Sequence, residues 1–249
     1  MAPARTLVDI LHRAGDPPAG GLTLVGSTRI GGAGDQTLSC ADLTLRARAA
    51  AAVLRRSGCC PGSRVVVACA RPLDVLTAFW GSLVAGAIPA LVLAPPHHGS
   101  ASQASARLAA VAHSLGAAVV VADDPAHVVE PVGEAKIVVP AELLSSDLLD
   151  LPELDPSAPA LVQFSSGSTG TPRGVVLSHS NILANVRGIA GALALTGRDV
   201  GVSWMPLHHD MGLIGFHPHR RGWNAALRWP DPAAGDRARH RRQSRDPHP

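Results

Sequence analysis

The chain has 249 residues, of which 46% are hydrophobic and 16% charged, with three Phe, four Trp and no Tyr. That is enough apolar material for one large core or two small ones, which excludes wholesale disorder, and 25 Gly and 21 Pro without a three-residue period exclude a collagen-like chain. The net charge of +3 is unevenly spread: residues 216–249 hold eight Arg against three Asp, +5, so residues 1–215 carry −2.

A basic segment can be the footprint of nucleic acid. Here it is interrupted by Pro218, Pro230, Pro232, Pro247 and Pro249 and lacks apolar periodicity, so a solvated tail over 217–249 is expected and no nucleic-acid partner. Cys40, Cys59, Cys60 and Cys69 form no C-x-x-C, which suggests neither a disulfide framework nor a zinc site and points to a reduced, cytoplasmic protein. The N-terminal apolar stretch is broken by Asp9 and His12 and lacks the core of a signal peptide.

In chain order, residues 38–57 place Leu43, Ala47, Ala50 and Leu54 on one helical face, with Ser39 as N-cap and Gly58 as stop. Val65–Val67 read as a buried strand, 73–86 as a helix and Ile88–Leu93 as another buried strand. Residues 75–96 carry no charge and are long enough to span a bilayer, but Gly81, Gly86, Pro89 and the Pro95–Pro96 pair divide them into helix and strand, so no membrane span is expected. A helix over 103–115 and a strand ending at Asp123 follow. Alternation at this spacing implies an α/β fold, with mostly parallel sheets and helices on both faces.

Residues 140–159, acidic and proline-rich, read as a surface crossing between two halves of the sheet. Then come a strand ALVQF, the segment SSGSTGTPRG (165–174), a strand VVLSH, a helix over 181–193 and a strand VGVSW leading into MPLHHDMGLIGF. The 165–174 segment puts three Gly, three Ser, two Thr and Arg173 between apolar strands. Glycines admit close backbone approach, hydroxyls donate to phosphate oxygens, and the cation offsets their charge. The spacing is not that of a Walker A loop, and composition alone leaves an ordinary Ser/Gly hairpin loop open.

The order of residues in SSGSTGTPRGVVLSH resembles the AMP-binding signature of the adenylate-forming superfamily, supported by similarity of PGSRVVVACARPLDVLTAFWGSLVAGAIPALVLAPP and SWMPLHHDMGLIGF to other family segments. The last is similar to the His-Asp-Met-Gly run of fatty-acyl-AMP ligases and related fatty acyl-CoA synthetases. The resemblance covers about 5–216 and implies the N-terminal part of that fold, in a domain 1–216. It implies ATP and magnesium as cofactors, with Ser165, Ser166, Gly167, Ser168, Thr169, Gly170, Thr171, Arg173 and Gly174 around the phosphates. Arg173 stands where the family usually has Lys. His209 falls at the family's catalytic-site His beside the carboxylate and acyl entrance. A metal site on the run His208-His209-Asp210 is the alternative, not preferred because neighbouring residues rarely converge on one ion.

The implied substrate is a fatty acid or other carboxylate, with coenzyme A or an acyl carrier protein as acceptor in full-length members. Beyond Phe216 there is no aromatic-Gly-x-Thr-Glu and no Thr-Gly-Asp, so the chain reads as a truncated acyl-adenylating ligase, inactive alone, whose 217–249 segment is disordered or translated from a shifted frame. A fragment of a nonribosomal peptide synthetase adenylation domain, a non-catalytic binding module and a nucleic-acid binder are the alternatives.

Overall fold

The computed structural model describes residues 4–14, 21–25, 35–95, 101–128, 131–165, 173–196, 199–214 and 224–228. In chain order the elements are α1 (Leu7–Ala14), β1 (Gly21–Val25), β2 (Gln36–Ser39), α2 (Cys40–Arg56), β3 (Arg64–Ala68), α3 (Pro72–Val84), β4 (Ile88–Leu91), α4 (Ala101–Leu115) and β5 (Val119–Ala122). They continue with β6 (Lys136–Val138), β7 (Pro159–Ser165), β8 (Arg173–Ser178), α5 (His179–Ala192), β9 (Val200–Ser203), α6 (Asp210–Ile214) and β10 (Asn224–Arg228).

The centre is an all-parallel sheet in the order β4-β3-β5-β6. Its strands are buried on both faces, and the pleat sorts their side chains. Val65, Val67, Val119 and Val121 enter the core cluster that includes residues of α2 and α3, while Val66, Ala68, Val120 and Ala122 join Leu108, Val111 and Ala112 of α4. The two sets of helices therefore lie on opposite faces, as expected of an α/β fold. A second sheet, β2-β1-β10-β9, is mixed: β2 runs antiparallel to β1, and β10 runs parallel to both β1 and β9. β7 and β8 form an antiparallel hairpin beside β4.

Local chemistry explains the element ends. Ser39 Oγ accepts from the Asp42 N–H and Asp42 Oδ2 accepts from the Ser39 N–H, both at 3.0 Å, a capping box that starts α2. The helix begins at Cys40, directly after the expected cap, and Leu38 and Ser39 pair with Leu22 and Gly21 in the β1–β2 ladder. Gly58 follows α2 with φ +100°, a left-handed stop that a side chain rarely adopts. Ser178 and Asn181 repeat the capping box at α5.

The helices α2 and α3 approach closely at Gly81, where an added Cβ would lie 2.6 Å from Ala50 Cβ. The 140–159 segment contains one turn of 3-10 helix, Pro140–Leu143, and otherwise no helix or strand before β7 begins at Pro159. It is strapped to α2: Arg48 Nε donates to the Leu149 carbonyl at 2.8 Å and pairs with Asp150 at 2.9 Å, while Arg56 pairs with Asp147 at 2.8 Å. Such exposed pairs contribute little energy. Leu149, Leu151 and Leu154 packed on the core do more to hold the segment.

The sequence signals do not reveal α1, β1 or β6. In α1, Leu7, Val8 and Leu11 are buried and the Leu7 N–H donates to His179 Nδ1 at 3.3 Å, so this short helix depends on a contact from the far end of the chain. β10 lies inside the segment expected to be a tail, and the rest of 217–249 is outside the described residues. The four cysteines are free, and among the described residues no helix is long and apolar enough to cross a membrane.

Candidate active site

The hairpin β7–β8 presents the hydroxyl-rich loop. Its ladder closes at Ser165↔Arg173, so these two residues bracket the connection and Arg173 stands exposed at its base. Ser166, Gly167, Ser168, Thr169, Gly170 and Thr171 lie outside the described residues. Gly174 has a steric reason for being glycine: a Cβ there would meet Val162 Cγ1 at 2.8 Å and the Phe164 ring at 3.2 Å. The hairpin can therefore close tightly just below the loop.

His209 sits in the turn between β9 and α6. Its N–H donates to the Pro206 carbonyl at 3.0 Å and its carbonyl accepts from the Leu213 N–H at 2.9 Å, which leaves the exposed imidazole at the helix entry. The turn is compact because Gly212 faces Pro206, whose carbonyl oxygen would lie 2.2 Å from an added Cβ. The rings of His208 and His209 pack 4.5 Å apart, tilted by 41°. Burial, helped by the neighbouring His209 and Arg107 charges, pushes the His208 imidazole down to about 4, so it is neutral at pH 7. Among the described residues no three His, Cys, Asp or Glu side chains converge on a point where they could hold a metal ion.

One side chain connects the two parts. Gln163, on β7 two residues before Ser165, donates from Nε2 to the His208 carbonyl at 2.9 Å, and its Oε1 is buried without a partner. Gln163 belongs to none of the motifs recognisable in the sequence. A signal was present, since a lone amide inside an otherwise apolar strand needs a polar partner when buried.

Arg173 is an exposed cation at the base of a glycine- and hydroxyl-rich connection, residue chemistry that suits phosphate oxygens. A magnesium ion arriving with the nucleotide would be held largely by phosphate oxygens and water, and does not require an all-protein cage.

The sequence pattern of the AMP-binding enzyme family matches residues 22–232, and the chain belongs to that family. The match passes Phe216, where the motif-level resemblance ends. A curated relative, the long-chain-fatty-acid–AMP ligase FadD26 of Mycobacterium tuberculosis, is 37% identical over 171 residues, covering 62% of this chain and 28% of that protein. The solved fatty acyl-adenylate ligase from Legionella pneumophila, in complex with acyl adenylate and pyrophosphate, superposes with TM-score 0.77 at 25% identity, over 96% of this chain and 42% of its own. The adenylation domain of a keto acid-selecting nonribosomal peptide synthetase module, bound to keto acyl adenylate, gives TM-score 0.80 at 25% identity, over 95% of this chain and 45% of its own. The chain thus spans under a third of that curated relative and under half of either solved neighbour.

Proposed function

We propose that this chain is the nucleotide-phosphate and acyl-entrance portion of an ATP-dependent acyl-adenylating ligase acting on a fatty acid. The observation that carries the reading is the Gln163–His208 hydrogen bond, which ties the strand leading into the hydroxyl-rich loop to the turn bearing His209. In the reaction a carboxylate oxygen forms a bond to the α-phosphorus of ATP and the bond to pyrophosphate breaks. Catalysis there rests on positioning and charge neutralisation. The hydroxyls and N–H groups of Ser165, Ser166, Gly167, Ser168, Thr169, Gly170, Thr171 and Gly174 would hold phosphate oxygens, Arg173 would offset their charge, and His209 would stand beside the carboxylate.

The fatty-acyl preference is supported by the likeness to long-chain-fatty-acid–AMP ligases and by the run HHDMG. The second reading, an adenylation domain of a peptide synthetase, is favoured by the TM-score of 0.80 to such a domain. The acceptor of the acyl group would be coenzyme A or a carrier protein. Alone, the chain would turn over little: Val200 and Val202 of β9 and Trp204 just after it stand exposed, where a larger α/β domain would pack further structure.

Calorimetry with MgATP and pyrophosphate exchange with fatty acids test the reading. Weak, saturable MgATP binding that disappears in the double variant Gly170→Trp/Arg173→Ala, without exchange above a heat-killed control, is expected. Binding indifferent to that variant would overturn the assignment of the loop, and robust exchange would overturn the inactivity.

A further inference from the structure

We propose that the back of the β7–β8 hairpin is a second small-molecule site, one that takes a carboxylate on a short or medium apolar chain, with Arg64 as its anion partner. In an antiparallel hairpin, directly opposed residues share a face and successive residues alternate. Gln163 lies opposite Val175 and uses its face to reach His208. Val162 opposes Val176 and Phe164 opposes Gly174, and these four turn the other way.

On that other side is a cavity of about 340 Å³, walled by Val162, Phe164, Gly174 and Val176 of the hairpin together with Ile88 and Leu115. Its size is in the range of small-ligand pockets. Arg64 and Ile88 open β3 and β4, so the cavity sits at the amino end of the parallel sheet, the end opposite to where α/β folds usually bind their ligands. Both features separate it from the His208–His209 turn.

The lining selects the ligand. Arg64 and Ser114 supply the polar part, and the Arg64 guanidinium makes no hydrogen bond or ion pair among the described residues. Val176, 58% exposed, is the part of the lining that a ligand can reach from solvent. An uncommitted cation beside apolar walls suits a headgroup with one negative charge and an apolar tail, and it disfavours a polyanion such as a nucleotide, which would leave charge against Phe164 and Ile88.

The experiment is a methyl-NMR titration of the full chain, labelled at Ile, Leu and Val, with octanoate and with octan-1-ol. Saturable shifts at Ile88, Leu115, Val162 and Val176 are expected, with octanoate bound about tenfold more tightly than the neutral alcohol because of one charge-assisted contact. Arg64→Gln, at an exposed position, is expected to lower octanoate affinity to the octanol level and to leave octanol unchanged. His209→Ala is expected to leave all four shifts in place. Shifts that do not saturate, an unchanged octanoate affinity in Arg64→Gln, or their loss in His209→Ala would each overturn the site. A chain that fails to bind MgATP yet shows these shifts would overturn the adenylation reading and leave this one standing.

Discussion

Gln163 Nε2 and the His208 carbonyl, 45 residues apart in the chain, meet at 2.9 Å and join the strand before the glycine- and hydroxyl-rich connection to the turn that bears His209. Replacing the amide by Leu leaves a part-buried carbonyl without its donor. Gln163→Leu is expected to lose about 1 kcal/mol of stability, reduced from the full penalty because the partnerless Oε1 is removed too. Urea unfolding measures it, and an unchanged midpoint would show that the bond is immaterial. The loop is expected to lose MgATP affinity in parallel.

Gly212 tests the other end of the same connection. A Cβ there would sit 2.2 Å from the Pro206 carbonyl oxygen and 3.0 Å from that of Met205, both backbone atoms that cannot swing aside. Gly212→Ala is expected to lose about 1–3 kcal/mol and to shift the His209 ring resonances. A variant as stable as the parent, with unaltered His209 signals, would mean the turn is looser than its geometry implies.

The pH dependence follows from two histidines. Burial lowers the His179 imidazole against an opposing pull from Asp9, and burial, His209 and Arg107 lower His208 to about 4. Between about pH 4 and 6.5 the unfolded chain therefore binds more protons at these sites than the folded one, so stability falls as pH falls through that window. Protonation of His179 at Nδ1 also removes the acceptor of the Leu7 N–H and should release α1. Unfolding free energies at pH 7, 5.5 and 4.5 should show a flatter acid limb in His179→Gln/His208→Gln. Identical slopes would exclude both groups as the cause.

Truncation distinguishes the parts of the basic segment. β10 pairs Ala225 with Leu22 on one side and Asn224 with Val200 on the other, so it is an interior strand. Removing 229–249 is expected to leave the melting temperature nearly unchanged. Removing 217–249 strips the partner from both β1 and β9 and is expected to cause aggregation through their open edges. Size-exclusion chromatography and thermal melts report this, and equal behaviour of the two truncations would show that β10 adds nothing to the sheet.

The amino-acid order alone specifies the features that depend on neighbours along the chain. Ser39 marks the cap of α2, the runs Val65–Val67 and Val119–Val121 read as buried strands, and the order of residues in 165–174 carries the family resemblance. The helix–strand alternation is enough to expect a doubly covered parallel sheet, because a strand buried on both faces needs helices on both.

What depends on distant partners was decided by tertiary structure. α1 is held by His179, β2 forms just ahead of the α2 cap by pairing with β1, and β10 takes its place between strands that precede it by some 200 and 24 residues in the register. Gln163 gains its polar partner only when folding brings His208 to its amide. Arg64 becomes a candidate anion partner only because the pleat turns Val162, Phe164 and Val176 toward it. In each case a polar group or strand edge is satisfied by a partner far away in sequence, and local periodicity carries no trace of that distance.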